Sequence, residues 1–226
     1  MTGMLASVEN LAEALCVLEA GADIIDLKSP SAGALGALPV DAVKAIAAAL
    51  AGRRPLSATI GDLPMNPAVV CKAVEAMAST GVDFVKIGFF PGGDWHQTIF
   101  SLSHLAANGI QLVAVLFGDQ NPVLSHIELM AGAGFKGVML DTQVKSGGSL
   151  TQVCSLAYLR DFVAEAKAYG LLCGLAGSLR QADIPLLLSL RPDYLGFRGA
   201  LCKQHERTAG LDKTAVQAIR ASLPSH

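Results

Sequence analysis

Short β-rich runs alternate with longer runs of helical periodicity along this chain, and the alternation repeats eight times. Strands are indicated by apolar runs of roughly four to eight residues, and helices by apolar residues that recur every three or four positions. The predicted strands are Met4–Ser7, Asp23–Lys28, Leu56–Gly61, Phe84–Phe89, Gln111–Phe117, Gly137–Asp141, Leu171–Leu175 and Tyr194–Phe197. The predicted helices lie near residues 9–20, 40–51, 67–79, 94–108, 122–132, 151–169, 179–189 and 212–222. Such an alternation is typical of a parallel sheet covered by helices.

Eight β/α units predict an α/β fold of the (β/α)₈ type, a TIM barrel. Glycine follows five of the predicted helices, where a left-handed C-terminal cap favours it: Gly21, Gly81, Gly109, Gly134 and Gly170. A doubly wound open sheet is the competing fold, but its first strand is usually followed by a G-x-G-x-x-G motif, and Val8–Asn10 contains none. Without a linker or low-complexity segment, the 226 residues predict a single domain covering residues 1–226.

Composition and charge exclude several classes of protein. Hydrophobic residues make up 52% of the chain and charged residues 16%, which is the balance of a globular protein. The net charge is −2 and the basic residues are scattered, so neither nucleic acid nor a membrane is an expected partner. No apolar run reaches the roughly 18 residues that span a bilayer, and no signal peptide is recognisable, so we expect a cytoplasmic location. Apolar positions on the Ala-rich outer helices would accommodate an interface, and we expect a homo-oligomer.

The cysteines and histidines do not predict a metal site. Five cysteines lie far apart in the sequence and form no C-x-x-C pair. His96, His104 and His126 also lack the spacing of metal ligands. We therefore expect neither a metal nor a disulfide framework, and we interpret the cysteines as small apolar core residues.

Charged residues occur on the predicted strands, on the face that points into the barrel. The period of two in the second strand places Asp26 and Lys28 on that inner face. The same pattern places Lys86 of the fourth strand inward. Asp141 ends the sixth strand, and Lys145 follows it closely. Because barrel strands meet at their C-terminal ends, these side chains should converge on one cavity.

Two aspartates and up to three lysines in one cavity indicate chemistry on a carbonyl group. A partly desolvated lysine beside another lysine has a lowered pKa, and the neutral amine can form a Schiff base. A second lysine or an aspartate can then move protons. The alternative is a structural ion-pair network of Asp26, Lys28 and Asp141. The clustering of inward charges on three strands, all at the same end, favours the functional interpretation.

Glycine-containing loops follow the seventh and eighth strands, where barrels commonly bind a phosphate group. Glycine lets the backbone approach an oxyanion, a helix N-terminus offers free N–H groups, and an arginine adds a charge-assisted contact. The alternative is a pair of ordinary turns with Ser178 as a helix cap. The predicted phosphate-binding residues are Gly174, Gly177, Ser178, Gly196, Arg198 and Gly199. They predict a phosphorylated small-molecule substrate.

Several segments resemble one known family over nearly the whole chain. They include ADIIDLKSP, SATIGD, FVKIGFF, GVMLDT, CGLAGSL and DYLGFRGALC. Together they are similar to the (5-formylfuran-3-yl)methyl phosphate synthase family. The resemblance implies a TIM-barrel lyase that joins two molecules of glyceraldehyde 3-phosphate, releases phosphate and water, and closes a furan ring. The product would supply the furan of a methanofuran-type one-carbon carrier.

The resemblance also assigns roles to the inward charged residues, and the chain departs from the family at none of these positions. It implies that Lys28 forms the Schiff base and that Lys86 is the general acid and base. It implies assisting roles for Asp26, Asp141 and Lys145, and a mechanism without a cofactor. The residues alone leave three alternatives open: another class I aldolase acting on a sugar phosphate, a barrel isomerase, and a non-catalytic barrel that binds phosphorylated metabolites.

Overall fold

The computed structural model describes residues 1–224 and contains a closed barrel of eight parallel strands. Each strand pairs in parallel with the next, and the eighth pairs with the first to close the barrel. The strands are β1 (Gly3–Val8), β2 (Ile24–Leu27), β3 (Leu56–Thr59), β4 (Phe84–Gly88), β5 (Leu112–Phe117), β6 (Gly137–Asp141), β7 (Leu172–Leu175) and β8 (Tyr194–Phe197). The predicted (β/α)₈ fold is confirmed.

Helices cover the outside of the barrel. They are α1 (Leu11–Glu19), α2 (Val40–Leu50), α3 (Pro67–Ala78), α4 (Trp95–Ala107), α5 (His126–Gly132), α6 (Leu150–Val153), α7 (Leu156–Ala168), α8 (Ile184–Ser189) and α9 (Lys213–Ala221). Side-chain caps fix several of their N-termini, because a capping oxygen accepts a hydrogen bond from an otherwise free amide. Asn10, Asp94 and Asp212 cap α1, α4 and α9 in this way.

Three predicted helices differ from the observed ones in their boundaries. The helix predicted near residues 179–189 begins only at Ile184, after a 3₁₀ turn over Gln181–Asp183. The helix predicted near residues 151–169 is divided into α6 and α7, because Ser155 adopts an extended conformation and caps a new helix. The helix predicted near residues 122–132 begins only at His126. Residues 121–123 have no regular structure and residues 124–125 form a turn before it.

The side chains of the strands alternate between two cores. Outward residues such as Ile25 and Leu27 of β2 pack against the helices in a continuous apolar layer. Inward apolar residues, among them Leu5, Val113 and Met139, fill much of the barrel interior. The inward charged residues take up the remaining space at the C-terminal ends of the strands, so the polar part of the interior lies at one end.

The loop after β2 folds over part of this end and is fixed there. Leu35 is fully buried among the inward apolar residues. The carboxylate of Asp62 accepts hydrogen bonds from the amides of Ala34, at 2.8 Å, and of Leu35, at 2.7 Å. The hydroxyl of Thr59 donates to the carbonyl of Gly36 at 3.0 Å. The loop therefore closes one side of the barrel mouth.

Three further observations concern membrane-spanning helices, metal ions and the cysteines. Within residues 1–224, no helix is long and apolar enough to cross a membrane. In the same range, no group of three or more His, Cys, Asp or Glu side chains is placed to hold a metal ion. The cysteines are free thiols, and burial raises the pKa of Cys154 to about 11 and that of Cys173 to about 12. The predicted homo-oligomer and the cytoplasmic location stay predictions.

Candidate active site

A polar cavity of about 120 Å³ opens at the C-terminal ends of the strands. Four of the five predicted catalytic residues line it: Lys28, Lys86, Asp141 and Lys145. The fifth, Asp26, lies directly behind Lys86, and their side chains form an ion pair. Residues from β2, β4 and the end of β6 therefore meet in one place, as the strand alternation predicts.

Asp26 is fully buried and accepts three hydrogen bonds. The hydroxyls of Ser7 and Ser57 donate to it at 2.8 and 2.7 Å, and the ammonium of Lys86 donates at 3.0 Å. Burial alone would raise the pKa of Asp26, but the positive charges of Lys86 and Lys28 and the two hydroxyls outweigh it. The net result is a pKa below the ordinary value, so Asp26 stays ionised and fixes the position of Lys86.

Asp141 forms a second ion pair with Lys145. The Nζ atom of Lys145 lies 2.6 Å from Oδ1 of Asp141, and the amide of Thr142 donates to the same oxygen at 2.7 Å. Burial would raise the pKa of Asp141, but the charges of Lys145 and Lys28 and these hydrogen bonds hold it below its ordinary value. The carbonyl of Lys145 accepts a hydrogen bond from Ser178 at 3.0 Å, which fixes the loop that directs Lys145 into the cavity.

Lys28 lies between these two pairs without a direct partner of its own. It is 6% exposed, and none of the residues 1–224 accepts a hydrogen bond from its amine. Burial lowers the pKa of Lys28 to about 7; Asp141 and Asp26 oppose this effect, and Lys145 and Lys86 add to it. A large fraction of the amine is therefore neutral near pH 7. Such an amine can attack a carbonyl carbon.

The predicted phosphate-binding residues fall in two different places. Five of them line the cavity: Gly177, Ser178, Gly196, Arg198 and Gly199. The sixth, Gly174, lies within β7 and faces the ring of Tyr194, so that an added Cβ would lie 2.3 Å from a ring carbon. Gly174 thus makes room for an aromatic side chain inside the barrel. Gly177, with a φ of +108°, packs so closely on Thr142 that a side chain there would collide with it.

The guanidinium of Arg198 is directed away from the role predicted for it. Its Nη1 atom donates to the carboxylate of Glu13 at 2.5 Å and to the carbonyl of Ser7 at 3.3 Å. Its Nε atom donates to the carbonyl of Arg207 at 2.8 Å, and Nη2 donates to that of Ala209 at 3.2 Å. Because protein oxygens already accept these bonds, the geometry does not support a phosphate contact by Arg198. It indicates that Arg198 holds the loop after β8 in place.

Three basic residues at the mouth were missed by the sequence analysis. Arg180, His205 and Arg207 line the cavity from the loops after β7 and β8. Arg207 is half-buried and donates to the carbonyl of Gly33 at 2.9 Å, whereas Arg180 is exposed and lies beside the backbone of Gly199. The signal that could have found them is their position, since these two loops are where barrels bind phosphate.

The closed barrel and its cavity of inward lysines define a (β/α)₈-barrel protein with a candidate active site at the C-terminal ends of the strands. Solved structures with this fold include phosphoribosyl anthranilate isomerase from Thermus thermophilus, with a TM-score of 0.68, 16% identity and coverage of 98% of both chains. A 3-hexulose-6-phosphate synthase has a TM-score of 0.68 and 19% identity, and the match covers 98% of this chain and 100% of that one. At these identities the likeness shows the fold alone.

The chain belongs to the 4-HFC-P synthase family, whose sequence model matches residues 4–220. Relatives named (5-formylfuran-3-yl)methyl phosphate synthase occur in Methanocaldococcus jannaschii and Methanosarcina mazei. They are 34% and 35% identical to this chain, and each match covers 96% of this chain and 97% of the relative. A Methylorubrum extorquens protein, given the same name provisionally, is 43% identical over 96% of this chain and 92% of its own length. The predicted family is confirmed, and the chain is an enzyme.

Proposed function

We propose that the protein condenses two molecules of glyceraldehyde 3-phosphate into (5-formylfuran-3-yl)methyl phosphate through a Schiff base at Lys28. The observation that carries the proposal is the placement of Lys28, a buried amine with a pKa of about 7 between two lysine–aspartate ion pairs. The product is the one in the names of the relatives. It would supply the furan of a methanofuran-type one-carbon carrier.

The other members of the cluster have roles that follow from their positions. The neutral amine of Lys28 attacks the aldehyde of the first triose, and loss of water gives an iminium ion that acidifies the neighbouring carbon. Lys86 first gives its proton to the hydroxyl that leaves as water and then, as a neutral amine, removes a proton from that carbon; Asp26 stabilises the ammonium form that results. The resulting enamine expels the phosphate from the adjacent C3, and this carbon then forms the new C–C bond to C2 of the second triose, whose aldehyde has isomerised to the ketone. The C1 hydroxyl of the second triose closes the ring on C2 of the first, loss of two waters makes the ring aromatic, and hydrolysis of the imine releases the formyl group and Lys28, with Asp141 and Lys145 as a second pair that transfers protons.

The cavity mouth supports a phosphorylated substrate. Gly177, Ser178 and Gly199 bring backbone to its wall. Gly196 also lines the cavity, and an added Cβ there would lie 3.0 Å from the Cβ of Ala176. The arginines of the same two loops add positive charge, and an arginine forms strong charge-assisted bonds with a phosphate group.

The experiment that tests this function follows phosphate release and the ultraviolet absorbance of a furan aldehyde after glyceraldehyde 3-phosphate is added. Wild-type protein should yield both signals, and Lys28→Ala should yield neither. Lys44→Ala is the matched control, because Lys44 is exposed on α2, and it should behave as the wild type. Reduction with borohydride in the presence of substrate should attach the triose covalently to Lys28.

Other outcomes would identify the alternatives. Reversible aldol products without phosphate release would indicate an ordinary class I aldolase. Turnover of a sugar phosphate without borohydride trapping would indicate an isomerase. Ligand binding without any turnover would indicate a non-catalytic binding protein. Each of these results would contradict the proposed condensation.

A further inference from the structure

Two arginines at the cavity mouth differ in burial and in surroundings. Arg207, on the loop after β8, is half-buried and interacts electrostatically with Asp141, which is also the strongest charged neighbour of Lys28. Arg180, on the loop after β7, is exposed, and none of the residues 1–224 accepts a hydrogen bond from its guanidinium. The two arginines therefore present positive charge at different depths of the same opening.

A second cavity adjoins the first at this opening. It has a volume of about 290 Å³ and lies between the turn that precedes α8, the turn after β8 and helix α9. Arg180 and His205 line both cavities, whereas Lys28 and Arg207 line only the first of the two. The protein thus has one cavity around Lys28 and a second cavity next to Arg180.

The inference rests on the proposed condensation, because that reaction brings two phosphate groups into the site. We infer that Arg207 binds the phosphate of the triose that forms the imine with Lys28, and that Arg180, assisted by His205, binds the phosphate of the second triose in the adjoining cavity. We call the triose beside Lys28 the inner triose and the one beside Arg180 the outer triose. The half-buried arginine belongs to the inner position and the exposed arginine to the outer one.

The fold holds Arg207 in the inner position. Arg198 donates from Nε to the carbonyl of Arg207, and its guanidinium is itself fixed by a buried ion pair with Glu13. On its other side, Arg207 donates from Nη2 to the carbonyl of Gly33. Its Nη1 and Nε groups remain for a ligand, since none of the residues 1–224 accepts a bond from them. An arginine whose backbone carbonyl and Nη2 are both held loses less conformational freedom when it binds a phosphate than an unconstrained one does.

Borohydride trapping separates the two positions, because the imine requires only the inner triose. Arg207→Gln should raise the concentration of glyceraldehyde 3-phosphate that gives half-maximal trapping by about tenfold or more. Arg207→Lys should restore part of the loss. Arg180→Gln should trap at the wild-type concentration but raise the KM for furan formation by about tenfold. Arg160→Gln, on the exposed face of α7, is the matched control and should change neither quantity.

Glyceraldehyde without a phosphate provides a second measurement. In the wild type and in Arg180→Gln it should trap much more weakly than the phosphorylated triose, whereas in Arg207→Gln the two should trap alike. Equal effects of Arg180→Gln and Arg207→Gln on trapping, or wild-type trapping by Arg207→Gln, would overturn the inference and leave the proposed function standing. Failure of the wild type to trap any triose would instead overturn the proposed function itself, and the two failures are therefore distinguishable.

Discussion

Replacement of Lys145 by methionine should raise the pKa of Lys28. Lys145 is a positive neighbour that helps to lower this pKa, and it also occupies the carboxylate of Asp141. Its removal both takes away a like charge and frees the carboxylate to interact with Lys28, so the two effects have the same sign. Asp141→Asn should act in the opposite direction, because it removes the strongest charged neighbour that favours the ammonium form of Lys28.

The magnitude follows from the position of Lys28. Burial and its neighbours move its pKa from 10.5 to about 7. At pH 7 about half of the amine is then neutral, against about one part in three thousand for an ordinary lysine. A charged neighbour in contact shifts a pKa by about one unit or more. Lys145→Met should therefore move the midpoint upward by about one pH unit and reduce the neutral fraction at pH 7 about fivefold.

The assay measures the initial rate of imine trapping between about pH 5 and pH 10, a range that brackets both pKa values. Lys44→Met, on the surface of α2, controls for the loss of a lysine as such. A wild-type midpoint above about pH 9 would show that Lys28 behaves as an ordinary lysine and would refute the reasoning. A pH midpoint that moves downward in Lys145→Met or upward in Asp141→Asn would also refute the reasoning.

Three further predictions concern stability. Lys28→Met should raise the free energy of unfolding, measured in urea, by about 2–4 kcal/mol at pH 7. Burial lowers the pKa of Lys28 in the folded state, so the cost of burying its charge is complete below about pH 7. The stabilisation by Lys28→Met should therefore shrink as the pH rises toward 10.5. Glu13→Gln should lower the free energy of unfolding by about 2 kcal/mol, because the buried guanidinium of Arg198 would keep only its longer ion pair with Glu9, at 3.7 Å, and an unchanged urea midpoint would contradict this. Gly174→Ala should destabilise by about 1–3 kcal/mol through collision with an aromatic ring, whereas Gly132→Ala, where an added methyl meets open space in α5, should be neutral or stabilise by about 0.5 kcal/mol. Equal melting temperatures for these two alanine variants would count against the packing argument.

The strands and the lysine cluster could be predicted because both depend on local periodicity. In β2, the apolar residues Ile25 and Leu27 face the helices, and Asp26 and Lys28 are therefore forced inward. The same alternation places Lys86 correctly. A closed barrel brings the ends of its strands together, so residues far apart in the sequence meet without any further information.

The cationic mouth could not be predicted in the same way, because loops have no periodicity. The partner of Arg198 is Glu13, which lies 185 positions earlier in the sequence, and only the closure of β8 on β1 brings them together. A phosphate contact was predicted for Arg198 because it follows a strand end directly. Its guanidinium is buried beside a carboxylate, so the geometry favours Arg180 and Arg207 for this contact.

The charge balance of the cavity connects the lysine at its base with the arginines at its mouth. Three lysines face two aspartates, and each aspartate already pairs with a lysine, so Lys28 is the surplus cation and burial favours its neutral form. A bound triose phosphate brings negative charge close to Lys28 and would, by itself, favour the ammonium form and remove the nucleophile. An arginine neutralises the charge of the phosphate and stays protonated itself. A lysine in the same place would lose its proton more readily, because burial lowers its pKa. Arg207 beside the inner phosphate would thus preserve the neutral amine while the imine forms.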